Sequence, residues 1–401
     1  MILAPYSRAE EKLFYALAAL GALVVAIGFG AALYMEHNGH VVTGMNNQVV
    51  WGVPHVFAIF LIVAASGVLN VASMGSVFGK TIYKKRAPLS GLLTLAMLAG
   101  GLFVLMLDLG RADRVIVAAT QYNFTSVFAW NVFLYSGMFG IVAVYLWTLM
   151  EQRMNPWSKP VGFAAFGWRL ILTTGTGSIF GFLVARQAYA SGLLAPMFIV
   201  MSFAWGLAVF ILIQAAMFRW NHIVIHPLVL RRMKNLLGLF VAAVLFLVAV
   251  YHLTNLYFAK QVAFEKFLLV DSGFAPIFWI GQVILGSLVP LGLLYHPTLG
   301  MRCGAVLTAA GLVVVGAFCQ LYVFIVGGQS FPLEIFPGMN ITSSFFDGQV
   351  ASYAPSLPEM LLGFGGIGLA YLITTVGVRA FKFLPEDDYV HLSEAAVRQN
   401  D

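Results

Sequence analysis

The sequence predicts an all-α integral membrane protein of ten transmembrane helices. Of its 401 residues, 61% are hydrophobic and 9% charged, and the mean hydropathy is +0.90. A soluble domain carries roughly 25% charged residues, so this chain could not cover its surface in water. The apolar residues gather into ten long runs and the charges fall almost entirely between them. About 20 apolar residues cross a bilayer core.

The runs follow in order. The first, 12–35, comes after Glu10 and Glu11, is too long for a signal-peptide core and lacks a small-residue cleavage site, so it reads as a retained helix. The second, 50–74, opens with Trp51 and His55, and the third, 89–107, ends at Asp108. The fourth, 127–150, is preceded by Asn123, Thr125 and Ser126 and has Asn131 just inside. The fifth, 162–185, carries Arg169 in one half and Thr174, Thr176 and Ser178 in the other, then reaches Arg186. The sixth is 194–218, and the seventh, 236–258, holds His252 near Asn255. The eighth, ninth and tenth are 274–294, 302–326 and 357–380. Little is left over for a soluble domain. Both cysteines, Cys303 and Cys319, fall in the ninth run and in no CxxC or CxxCH motif, so iron–sulfur clusters and c-type haem lack their usual ligands. No metal site is expected.

Ten spans put both termini on one side. Sixteen of the 22 Lys and Arg residues fall on that side, five (Arg111, Arg114, Arg186, Lys260, Lys266) on the other, and Arg169 lies within a span. This positive-inside bias makes both termini cytoplasmic, in a cytoplasmic (inner) membrane. It also accounts for the net charge of +6 without any nucleic-acid partner. The two longest connections, 36–49 and 327–356, contain no Lys or Arg and are external. The second is rich in aromatics, Pro and Gly, as expected of a loop that packs on the outer face or docks a partner.

Ionisable groups inside spans are costly and default to function. With the orientation set, four consecutive helices bring Trp51, His55, Asp108, Arg111, Ser126, Thr174, Thr176, Ser178 and Arg186 to one depth near the outer surface. That set suits a quinone head, which needs a hydrogen-bond partner at each carbonyl and a route for its protons. His55 can trade a proton near neutral pH, and Asp108 can orient the imidazole or pass the proton on. Blander roles exist for each residue alone. Trp51 suits an interfacial belt, Asp108 and Arg111 could pair with each other, and a lone His near a helix end is often structural. The convergence carries the reading. His37 and His40 lie in the outer loop, and His222, His226 and His296 at the cytoplasmic surface. A b-type haem would need two facing histidines, and His55 with His252 is the one plausible buried pair. Arg169 could seed a water path from the cytoplasm or cap a helix end.

Several segments resemble one family. LDLGRADR (107–114) resembles the LDxGR hallmark of the polysulfide-reductase membrane subunits, also called NrfD-like. WGVPHVFAIFLIVAASGVLN (51–70), NFTSVFAWNVFLYSG (123–137) and ARQAYASGLLAPMFIVMSF (185–203) are similar to further segments of that family. The stretch 320–362 is most like its ten-helix subgroup from sulfur-metabolising prokaryotes. The resemblance implies a single domain over 1–401. A first four-helix bundle (spans two to five, within 50–190) would hold a quinone site. A second bundle (spans six to nine, 194–326) would follow, flanked with the first by spans one and ten. His55 and Asp108 match the family's quinone-contacting His and acid, and Arg186 the Arg that closes the pocket. The chain departs where the family often has a Tyr (here Thr174, Thr176 or Ser178) and where many relatives have an acid in span four (here Asn131).

The chain has no redox-centre motif of its own, so electrons need partners. The resemblance implies menaquinone or ubiquinone as the quinone, with a periplasmic ferredoxin-like iron–sulfur subunit and a multihaem c-type cytochrome. It also implies a second membrane cytochrome b module with a cytoplasmic iron–sulfur subunit. The function expected is exchange of electrons between membrane quinone and an external iron–sulfur subunit in sulfur metabolism. The alternatives are a b-type haem cytochrome subunit and a secondary transporter, although no clear repeat of the transporter kind is present.

Overall fold

In the computed structural model the described residues are 8–220, 225–333, 336, 339, 348–381 and 383. Among them every regular element is helical. The long helices are α1 (Arg8–Asn38), α2 (Val53–Ser76), α3 (Ala87–Leu107), α4 (Val127–Met150) and α5 (Ser158–Gly181). They continue as α6 (Leu194–Trp220), α7 (Pro227–Tyr257), α8 (Phe274–Tyr295), α9 (Cys303–Ser330) and α10 (Leu357–Phe381). Nine of these, among the described residues, are long and apolar enough to cross a membrane. The chain is a multi-pass integral membrane protein.

The helix outside that nine is α5, as long as its neighbours at 24 residues but more polar. Its polar groups turn inward. Thr173 Oγ1 lies 2.6 Å from Ser66 Oγ of α2, and Arg169 is fully buried, donating to the carbonyl of Ser66 at 3.4 Å. The Arg169 guanidinium sits over Phe166 and Phe203, 4.7 and 5.3 Å from the ring centroids, while its Nε and Nη2 find no hydrogen-bond partner among the described residues. It caps no helix end.

Packing gives each helix its place. α2 packs on α3, α3 on α4, α4 on α5, and α5 returns to α2. Likewise α6, α7, α8 and α9 follow one another and α9 returns to α6. The two circuits join where α2 and α5 meet α6 and where α2 meets α9, while α10 lies along α2 and α3 and α1 lies on α10. α2 is therefore the innermost helix, with 94% of its apolar window buried against 22% for α1. Its crossing with α6 is possible because Gly67 faces Gly206: a Cβ on Gly67 would strike the Ser202 carbonyl. Without a hydrophobic drive between helices in lipid, such close backbone approach supplies the association.

Three boundaries differ from expectation. α9 runs to Ser330, into the stretch read as external loop, through a wider π turn at Val323–Gly327. α7 starts at Pro227, well before 236, because Pro at the first position suits a helix start even among polar residues. A one-turn helix, Thr81–Lys84, occupies the basic connection between α2 and α3. Residues 334–335, 337–338 and 340–347 of the external loop, His222, and the termini at 1–7 and 384–401 lie outside the described residues. The described end of that loop is tied down. Tyr353 donates to Glu359 at 2.7 Å and accepts from the Val53 amide at 2.7 Å, and Glu359 accepts from the Gly44 amide at 2.9 Å. Burial, with Glu359 alongside, pushes the Tyr353 hydroxyl far above its usual range.

Candidate functional site

The site is built where α2 begins and α3 ends. Gly52 and Pro54 open α2, which puts His55 in its first turn. Asp108 caps α3, its amide still bonded to the Val104 carbonyl, and Gly110 then turns the chain at φ +69° with the ring of His40 against it. His55 Nδ1 comes within 2.8 Å of Asp108 Oδ2, with the carboxylate side chain fully buried and the imidazole 13% exposed. It is an ion-pair contact and not a hydrogen bond. Both Asp108 oxygens and His55 Nδ1 are thus without a hydrogen-bond partner among the described residues. A buried carboxylate keeps its charge only beside a cation or donors. Here the neighbour able to supply either is the His55 imidazole.

Trp51 roofs this pair. Its ring stacks on His55 at 5.8 Å and meets Phe180 of α5 at 5.6 Å and Phe128 of α4 at 6.2 Å. Ends of α2, α4 and α5 therefore converge through aromatic contacts, and α3 joins them through Asp108. The Trp51 backbone is fixed by Gln329, the buried amide near the end of α9. Gln329 Oε1 accepts from the amides of Val50 and Trp51, both at 3.1 Å, and its Nε2 donates to the carbonyls of Trp51 and Ile325, both at 2.9 Å. Arg186 locks the same corner, donating to the Gln329 carbonyl at 2.9 Å and the Gln48 carbonyl at 2.7 Å. Burial holds its guanidinium below the usual arginine range.

The remaining candidates divide. Thr176 is buried in α5, bonded to Leu172 at 3.0 Å and in hydrogen-bond contact with Tyr135. Thr174, Ser178 and Ser126 are half-buried, Ser178 two residues before Phe180 and Ser126 two before Phe128. Asn131 is buried with its Oδ1 unpartnered among the described residues, and Gly175 of α5 faces it. Arg111 stands apart: it is 60% exposed and bonded to Asp113 at 2.9 and 3.0 Å, which raises the guanidinium's affinity for its proton and lowers that of the carboxylate. A carboxylate two residues along captures it before Asp108 can.

His55 and His252 do not face each other as haem ligands would. His252 Nδ1 lies 2.7 Å from Glu265, a buried carboxylate of the short helix Ala259–Lys266, in the other helix circuit. Trp51, Phe180 and Tyr189 follow in succession from the His55 side, with 5.3 Å between the last two rings, and His55 lines no part of the cavity beside His252. Sequence reasoning missed Glu265 and Gln329. Glu265 sits in a charged gap between apolar runs, and Gln329 in a stretch that reads as loop. The one available signal was the length of the apolar run, which continues through Val326.

The family described as "Polysulphide reductase, NrfD" matches residues 41–333. The chain is 30% identical to the Hdr-like menaquinol oxidoreductase integral membrane subunit of Archaeoglobus fulgidus, over 93% of this chain and 94% of that one. It is 23% identical to a selenate reductase subunit of Mesobacillus selenatarsenatis, over 95% and 96% of the two chains.

Proposed function

The chain belongs to the polysulphide reductase NrfD family, and from that premise we propose that it is the quinone-reactive membrane subunit of an electron-transfer complex. The observation that carries the reading is the buried His55–Asp108 contact under the Trp51 ring. Oxidation of a quinol to its quinone releases two electrons and two protons. His55 turns Nδ1 to Asp108, which leaves Nε2 to take a proton from a quinol hydroxyl. Asp108 stabilises the imidazolium so formed and shares its proton on the way to the external water. Thr174, Thr176, Ser178 and Ser126 are the hydroxyls nearest to hand for the second oxygen of the head, and Arg186 holds the corner closed. Arg111 then serves the outer surface.

The reading extends to the assembly. The quinone is menaquinone, the class in the name of the Archaeoglobus relative, with ubiquinone the alternative. Electrons pass between it and a ferredoxin-like iron–sulfur subunit on the external face, with a multihaem c-type cytochrome beyond. The likeness of 320–362 to DsrP makes the complex one of the DsrMKJOP kind, in sulfur metabolism, with its cytochrome b module and cytoplasmic iron–sulfur subunit. α5 also crosses the membrane and brings the spans to ten, the two helix circuits are the two four-helix bundles, and both termini are cytoplasmic.

His55→Ala should abolish quinol oxidation in membranes while the complex still purifies with its partners. Asp108→Asn, which keeps the shape and removes the charge, should slow turnover and alter its pH profile. Quinol oxidation unchanged in His55→Ala would sink the assignment.

A further inference from the structure

The circuit formed by α6 to α9 carries a histidine–carboxylate pair of its own. Glu265 is fully buried, its Oε2 2.7 Å from His252 Nδ1 and its Oε1 accepting from Asn255 Nδ2 at 2.7 Å. The imidazole is 13% exposed and opens on a cavity of about 30 Å³ that Tyr251, Phe278, Gln282, Gln320 and Phe324 also line. A second cavity, of about 10 Å³, shares Gln282 and Gln320 with the first and reaches Ser287. About 10–15 Å³ of such space holds one water, so the first cavity takes two or three and the second about one. Neither admits a quinone head. One turn before Glu265 on the same short helix, Gln261 donates to the Gln187 carbonyl at 3.3 Å, and the side-chain oxygens of both glutamines are buried without a donor among the described residues. Buried acceptors of this kind are met by water.

We propose that His252 and Glu265 form a proton-binding site separate from the one at His55, served by water from the cavity on the His252 side and from the Gln187–Gln261 side. A proton moves from a hydronium in the cavity to the pair, leaving water, and returns the same way; no electron moves. The pair shares one proton between a carboxylate and an imidazole already in hydrogen-bond contact at 2.7 Å. Its neighbours do not quench it. Tyr251 of α7 turns its hydroxyl to the Ala188 carbonyl, and Tyr189 of the α5–α6 connection donates to the Ile325 carbonyl at 2.9 Å, with Arg186 beyond. Lys266 and Asp271 pair at the surface at 3.7 Å. From α8 and α9 come Gln282 and Gln320, amides that do not titrate and that hold water in place by hydrogen bonds.

The proposal stands whether or not quinone binds at His55. Its test is infrared difference spectroscopy of the purified protein on stepping the pH, in H2O and in D2O. A carboxyl band that rises as pH falls and shifts in D2O is expected, lost in Glu265→Gln and kept in Asp108→Asn. His252→Gln should displace its midpoint, and this variant serves if Glu265→Gln fails to fold. Gln282→Leu with Gln320→Leu should slow its exchange into D2O. No titrating carboxyl band, a band that persists in Glu265→Gln, or a midpoint unmoved in His252→Gln would each overturn the site.

Discussion

At the scale of single residues, the site depends on a group that carries no charge. Gln329 uses both ends of its amide on the Val50–Trp51 backbone and so sets where the Trp51 ring lies over His55. Gln329→Leu should leave those amides buried without an acceptor, at a cost of about 1–3 kcal/mol. Melting temperature should fall, and KM for quinol should rise more than kcat falls. A variant with wild-type KM would mean that Trp51 keeps its place without the clamp. His55 and Asp108 were legible in the sequence because ionisable groups at the ends of apolar runs are rare and conspicuous. Gln329 was not, since a neutral amide after such a run looks like loop. Arg111 is as conspicuous, charged and directly after the Leu109–Gly110 turn, and the structure pairs it with Asp113 at the surface.

Among elements, the crossing of α2 and α6 fixes the two circuits relative to each other. Gly67→Ala would drive a methyl into the Ser202 carbonyl, and relief requires the helices to separate. A loss of about 1–3 kcal/mol is expected, as for overpacked cores, read as a lower melting temperature in detergent. Stability equal to wild type would show that the helices part freely there. Apolar run length located these helices, but it placed their ends poorly. Polar first turns, as in α7 before Leu236, and π turns, as in α9 at Val323–Gly327, leave no mark in hydropathy. α5 was legible as a run even though Arg169 and Thr173 lower its hydropathy, because those groups are answered by Ser66 rather than by water.

For the whole molecule, the charge-poor loop after α9 is the part with most to say about partners. Replacing 337–347 with a Gly/Ser linker should release the external iron–sulfur subunit during purification; recovery of the complex whole would make the loop a lid. The order of helices along the chain was legible from the apolar runs, whereas the α2–α9 and α2–α10 contacts were not, since neither pair is adjacent in sequence. Those contacts bear on how the protein is made. α2 leaves the ribosome second but touches α6, α9 and α10, the last of which is synthesised at the very end. Until α6 follows, Gly67 lacks its Ser202 and Gly206 neighbours. The helix circuit that holds His55 and Asp108 is thus completed by helices of the C-terminal half.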